Sequence, residues 1–188
     1  MAFPDRVETE RLTLRRFTDD DQDAFAAIWA DPCVRAALDP AGALDPAEVP
    51  ERYARHLAHW REHGFGLWAA YERGDEEVAG WIGATHPGFV PELRDEVEIG
   101  WTLRRPYWGR GLATEGAAAA AAAALAHLRP GRLVSLITPA NRRSIAVARR
   151  LGMRDAGGVR HGERGFELRV YALSAGAGGG PAAAGGAG

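Results

Sequence analysis

The chain contains no lysine; all 23 of its basic residues are arginine. A phosphate loop ending in Gly-Lys-Ser/Thr therefore cannot form, which excludes the P-loop nucleotide enzymes. Cysteine is nearly absent as well. Cys33 stands alone, so no internal disulfide framework exists and the composition suits a reducing compartment. Cys33 itself reads as a small packed residue. No run approaches the ~20 apolar residues of a membrane span, and the start of the chain lacks the apolar stretch of a signal peptide. The alanine block at 117–124 is apolar but short and weakly hydrophobic, and reads as a soluble helix. These absences predict a cytoplasmic protein with no membrane partner. With a net charge of -2 and a pI near 6.3, there is no broad electrostatic footprint for nucleic acid. Neither a Gly-x-Ser-x-Gly elbow nor a His-Glu-x-x-His element occurs, which removes the common hydrolase readings.

What is present fits one compact domain. A length of 188 residues with 46% hydrophobic content predicts a single domain over 1–173. The segment 174–188 is almost entirely Gly and Ala, cannot bury enough apolar surface to offset its ordering entropy, and is expected to be a flexible tail. Alternation predicts a strand over 12–17. Asp residues at 19–21 then supply N-cap chemistry for a helix carrying Phe25, Ile28 and Trp29. A short helix and loop are expected up to Pro50, and a longer helix over 46–62 that stops at Gly64. Strands over 66–72 and 77–85 flank a hairpin turn. The run 97–103 alternates as a central strand with one apolar face. A helix over 112–128, a strand over 133–138, a helix from Asn141 to about Leu151, and strands over 153–159 and 166–173 complete the order. This is a mixed sheet with helices on both faces, an α/β or α+β sandwich.

The most informative segment is Trp108-Gly109-Arg110-Gly111-Leu112-Ala113-Thr114-Glu115, where a strand runs through glycines into an alanine-rich helix. Glycines let the backbone turn sharply and present consecutive N–H groups to an anion. The helix start adds unpaired N–H groups and the positive end of its dipole. Gly-x-Gly alone also marks ordinary strand-to-helix turns. A dinucleotide oxidoreductase is a poor match, because Thr114 stands where a third glycine or alanine belongs and the motif lies mid-chain.

Three segments together resemble the GNAT superfamily of N-acetyltransferases, in particular its RimJ/RimL-like branch, which acetylates ribosomal-protein N-termini. They are the run 97–103 leading into the glycine turn, Asn141-Arg142-Arg143-Ser144 with Val147 and the residues 150–153, and the opening 8–15. The resemblance implies a mixed, mostly antiparallel central sheet of about seven strands flanked by helices on both faces. It implies acetyl-CoA as co-substrate, no metal, and an amine acceptor, with monomer or homodimer left open. The cofactor residues so implied are the main chain of Trp101, Thr102 and Leu103 along the pantetheine arm, and Trp108, Gly109, Arg110, Gly111, Leu112, Ala113 and Thr114 around the pyrophosphate. Asn141 and Ser144 join them at the next helix. Pro106 departs from the usual motif, whose first position is Gln or Arg; Arg104, Arg105 and Arg110 are candidates to supply charge nearby. Asn141 reads equally as a helix N-cap.

Acetyl transfer needs a neutral amine, whereas an α-amino group has a pKa of about 7.7–8.0 and lysine about 10.4. Glu98, on the polar face of the central strand, is the candidate general base; a salt-bridged strand glutamate is the plain alternative. Many family members protonate the departing thiolate with a tyrosine, but the matching position is Ala148, so Ser144 is the substitute donor, with local capping as its plain reading. His56, His59 and His63 share one helix face, for which a solvated or substrate-facing surface outweighs a metal site. Of the tryptophans in or beside strands, most are expected in the core and one or two in the acceptor cleft. The loops 32–50, 87–95 and 160–164 are expected to set substrate choice. The acceptor so expected is a protein or peptide N-terminal α-amine. A small amine such as an amino acid, polyamine or aminoglycoside is the alternative, as is a non-catalytic acyl-CoA-binding module.

Overall fold

A computed structural model describes residues 2–38, 42, 45–162 and 164–175. The chain opens with β1 (Arg6–Glu8) and β2 (Leu12–Arg16), followed by α1 (Gln22–Ala30), α2 (Pro32–Leu38) and α3 (Val49–His63). The hairpin β3 (Leu67–Glu72) and β4 (Val78–Thr85) leads to β5 (Val97–Leu103) and α4 (Leu112–His127). The chain continues through β6 (Arg132–Ile137), α5 (Arg142–Arg150), β7 (Arg154–Arg160) and β8 (Glu167–Ser174). The strands form one sheet of eight in the order β1-β2-β3-β4-β5-β6-β8-β7. Every pairing is antiparallel except β5 with β6.

The strand beyond the expected seven is β1. Its three residues are too few for alternation to register, and it exists because Arg6, Val7 and Glu8 pair with Arg15, Leu14 and Thr13. The expected helix over 46–62 divides in two. Asp45 accepts a hydrogen bond from the Ala47 N–H at 2.9 Å and starts a 3-10 turn over Pro46–Glu48 before α3 begins. Gly64 ends α3 in the left-handed conformation, φ 73°. Of the tail expected over 174–188, Ser174 ends β8, where it pairs with Arg132, and Ala175 donates to the Gly131 carbonyl at 3.2 Å; the remainder, 176–188, lies outside the described residues.

Alternation along the strands sends side chains into two layers. Leu12, Leu14, Trp68, Ile82 and Ile99 go beneath α4 and α5. Phe17, Leu67, Ala69 and Trp81 meet Phe25, Ile28 and Trp29 of α1 and Tyr53 of α3 on the other face. α4 lies close to the sheet because its inner face is small: Gly116, Ala117, Ala120 and Ala124 are buried. A Cβ on Gly116 would sit 2.3 Å from Ile82 Cδ1 and 3.0 Å from Leu12 Cδ1. A smaller cluster of Val90, Leu93, Val134, Leu168 and Val170 anchors the loop 87–95 onto β6 and β8. No described helix is long and apolar enough to cross a membrane.

Candidate active site

The site begins where the sheet parts. β5 pairs with β4 over six residues, Gly80↔Leu103 to Thr85↔Glu98. With β6 it pairs only at Val97↔Leu133 and Glu98↔Val134. Beyond Glu98 the two strands diverge, so backbone groups lose their ladder partners and must be satisfied otherwise. Ser135, the one polar residue in a run of apolar ones, donates its hydroxyl to the Ile99 carbonyl at 2.7 Å. The Leu136 N–H donates to Glu98 Oε1 at 3.3 Å. Further along, the main chain of Gly100 to Thr102 has no strand on its β6 side.

The opening is a cleft of about 580 Å³. Glu98, Gly100, Trp101 and Thr102 of β5 line it, with Ser135 to Ile137 of β6, Asn141 and Ser144 at α5, and Trp29, Trp81, Arg52 and His56 from the other layer. Glu98 keeps some exposure to this space. Burial pushes its carboxyl up to about 7, and the Leu136 N–H only partly offsets that. A carboxyl poised there can take a proton near neutral pH.

At the far end of β5, the indole N–H of Trp108 donates to the Leu103 carbonyl at 2.6 Å. The chain then passes through Gly109, φ 73°, and Gly111, φ 81°, conformations that cost an L residue about 1–2 kcal/mol. Gly111 is the N-cap of α4, and no side chain caps that helix. Its first-turn N–H groups are left open to an anion. The turn is held from outside. Arg11 donates to the Arg110 carbonyl at 2.8 Å, while Glu115 accepts from Thr9 Oγ1 at 2.6 Å and from the Arg11 backbone and Nε at 2.7 Å each. This explains why the opening segment accompanies the glycine turn. An uncapped helix start at exposed glycines, beside a strand edge with free main chain, is a donor set that fits a diphosphate and an amide-bearing arm.

The structure brings Glu98, Trp101, Thr102, Asn141 and Ser144 to one cleft. Trp108, Gly109, Arg110, Gly111, Leu112, Ala113 and Thr114 form the turn and first residues of α4. The Arg143 guanidinium lies 4.7 Å from the Trp108 ring and links the two regions. Asn141 caps α5, accepting from the Ser144 N–H at 3.1 Å. Arg110 is committed to Glu72, through contacts of 2.8 and 2.5 Å, and Arg104 to Glu77 at 3.1 Å. Neither charge is freely available to a phosphate, which leaves the main chain of the turn and the exposed Arg105. Ala148 is fully buried in the main core.

Cys33, expected to be packed, is exposed in the first turn of α2. Among the described residues no group of His, Cys, Asp and Glu is arranged to hold a metal. Instead His59 is fixed between the Phe65 carbonyl, 2.8 Å from Nδ1, and the His86 N–H, 3.0 Å from Nε2. His56 lines the cleft, and burial chiefly, aided by His59, Arg55 and Arg52, lowers its pKa to about 4. The role of Ser135 escapes a reading of the sequence; a lone serine in Leu133-Val134-Ser135-Leu136-Ile137 is the one available signal. The loops expected to set specificity do reach the cleft, through Leu38, Phe89, His161 and Arg164. Phe89 and His161 stack at 4.8 Å, and Gly162 N–H donates to the Phe89 carbonyl at 2.9 Å.

A mixed sheet splayed between its two parallel strands, with a glycine turn opening the helix that follows, defines an acyl-coenzyme-binding fold. Residues 11–154 match the acetyltransferase (GNAT) domain. YkkB of Bacillus subtilis is 30% identical over 152 residues, covering 79% of this chain and 84% of that one. An acetyltransferase from Agrobacterium tumefaciens superposes with a TM-score of 0.77 at 31% identity, over 92% of this chain and 95% of the other. RimL, a ribosomal L7/L12 α-N-protein acetyltransferase solved with coenzyme A, shares the fold at a TM-score of 0.70 and 16% identity, over 93% of this chain and 98% of that one. The chain belongs to the GNAT acetyltransferase family.

Proposed function

We propose that this acetyltransferase acts on a primary α-amine, with the N-terminus of a peptide or protein as the acceptor class. The observation that carries the reading is the Glu98 carboxyl, raised to about 7 at the cleft wall. A base of that strength lies within about one unit of an α-amino group at 7.7–8.0 and more than three below lysine. Proton removal from an α-amine is thus uphill by about 1 kcal/mol, whereas from lysine it would cost about 4–5 kcal/mol.

Acetyl-CoA, when bound, supplies the thioester carbonyl that the amine attacks. The main chain of Trp101, Thr102 and Leu103 would hold the pantetheine arm, and the N–H groups from Trp108 to Thr114 the diphosphate. Glu98 takes the amine proton, directly or through water. Ser144, in the first turn of α5 and lining the same cleft, is the donor offered to the departing sulfur, because the buried Ala148 has nothing to give. Asn141 fixes Ser144 through its backbone and keeps its amide NH₂ for the cofactor.

Coenzyme A release with an unblocked peptide, measured against pH, tests this. Glu98 must be ionised to act, so kcat/KM should fall as pH drops through about 7, toward the raised carboxyl. Glu98→Gln should lower kcat by about 10²–10⁴-fold and move that limb up to the amine's own pKa of about 7.7–8.0, since only neutral amine can then react. A Glu98→Gln enzyme with unchanged rate and pH profile would eliminate Glu98 as base.

A further inference from the structure

The first turn of α5 carries its charge against the helix. A helix start favours carboxylates, because the macrodipole is positive there. α5 instead begins Arg142-Arg143, with no acidic residue in that turn. Both arginines are exposed, and among the described residues no carboxylate pairs with either. Arg143 is nonetheless held in place. Its guanidinium carbon lies 4.7 Å from the centre of the Trp108 ring, and Trp108 is fixed in turn by its indole N–H on the Leu103 carbonyl. Because Trp108 directly precedes Gly109, the Arg143 charge stands beside the glycine turn. That turn opens the uncapped start of α4. Glu115, the carboxylate in the first turn of α4, is already taken up by Thr9 and Arg11. Two helix starts and an ion-pair-free guanidinium are thus gathered around Trp108. Arg105 is exposed as well, but has no ring contact to hold it among the described residues.

A guanidinium resting on an aromatic face is attracted through its charge, which leaves its N–H donors unspent. Those donors form a planar fork that matches the oxygens of a phosphate, in hydrogen bonds strengthened by charge. We propose that Arg143 is a side-chain clasp for a phosphate of coenzyme A, held ready beside the glycine turn by Trp108. The clasp rests on the coenzyme placement proposed above and adds a side chain to its main-chain donors. Coenzyme A offers phosphate in two places, the diphosphate and the 3′-phosphate of the ribose.

Calorimetry with coenzyme A and with 3′-dephospho-coenzyme A tests this on the full chain. Arg143→Met keeps an apolar stem over Trp108 but removes the charge, and should weaken coenzyme A binding about fivefold to thirtyfold. The same penalty with the dephospho compound assigns the clasp to the diphosphate; a penalty confined to coenzyme A assigns it to the 3′-phosphate. Arg143→Lys, which keeps a charge without the fork, should recover part of the loss. Arg150→Met removes an exposed charge from the last turn of the same helix and should change affinity by less than about twofold. Without ligand, Arg143→Met should melt no lower than the wild type, since a cation has left the positive end of α5. Unchanged affinity in Arg143→Met overturns the clasp. An equal loss in Arg143→Lys, which would mean a role of shape, or in Arg150→Met, which would mean a diffuse field, overturns it too. All of these leave the coenzyme placement standing, whereas no heat from coenzyme A with the wild type removes that placement and the clasp with it.

Discussion

The N-termini of α4 and α5 are connected by the Arg143–Trp108 contact and are finished in opposite ways. Asn141 closes α5 from within, its side chain taking the Ser144 N–H. Gly111 closes nothing; it has no side chain, and α4 begins uncapped. The bonds that would have stabilised the α4 start are made instead by its flank, where Thr9 and Arg11 bind Glu115 and Arg110. Burial works against ionisation of Glu115, yet those partners hold its pKa below the usual value. A helix that spends its first donors on its own cap is sturdier, while one supported from the side keeps those donors for an incoming anion.

Substitutions at the two starts should therefore separate ligand binding from stability. Gly111→Ala is expected to have the largest effect. It forces an alanine to φ 81° and places a Cβ 3.4 Å from Arg11, so coenzyme A affinity by calorimetry should fall about tenfold to a hundredfold. Unchanged affinity would break the contrast at its functional side. Arg11→Ala, which frees the Arg110 carbonyl and half of the Glu115 contacts, should weaken the same affinity about threefold to tenfold and lower the melting temperature. Smallest is Asn141→Ala, expected to cost about 1 kcal/mol of stability in denaturant melts. Asn141→Ser should restore that stability, since serine caps as well. If coenzyme A affinity stays low in Asn141→Ser while the stability returns, Asn141 serves the cofactor as well as the helix, and the contrast narrows.

Elements with a strong local signal were readable from residues alone. The run 97–103 alternates and is β5; the stretch after Gly111 is α4, legible from its alanine content and not from an amphipathic period; Asn141 stands where α5 starts. The glycine turn at 109–111 was legible too, because glycine spacing is a local signal. The geometry that makes the cleft was not, since the parting of β5 from β6 depends on pairing between strands far apart in the chain. Ser135 and Glu98 acquire their roles only once that parting leaves the Ile99 carbonyl and the Leu136 N–H without ladder partners. The raised carboxyl of Glu98 likewise follows from burial that no spacing rule encodes. Cys33, read as a packed residue, is exposed on α2, which its residue type alone does not show.

The two-residue joint between β5 and β6 has a consequence for durability. Five strands on one side and three on the other form stiff plates that share a very short seam. Under the proposed placement along the free margin of β5, coenzyme A would bridge that seam, so it should protect the fold as well as supply the acyl group. At a hundredfold excess over its dissociation constant, a ligand bound only by the native state adds about 2.7 kcal/mol. Resistance to heat and proteases should thus follow the coenzyme A pool.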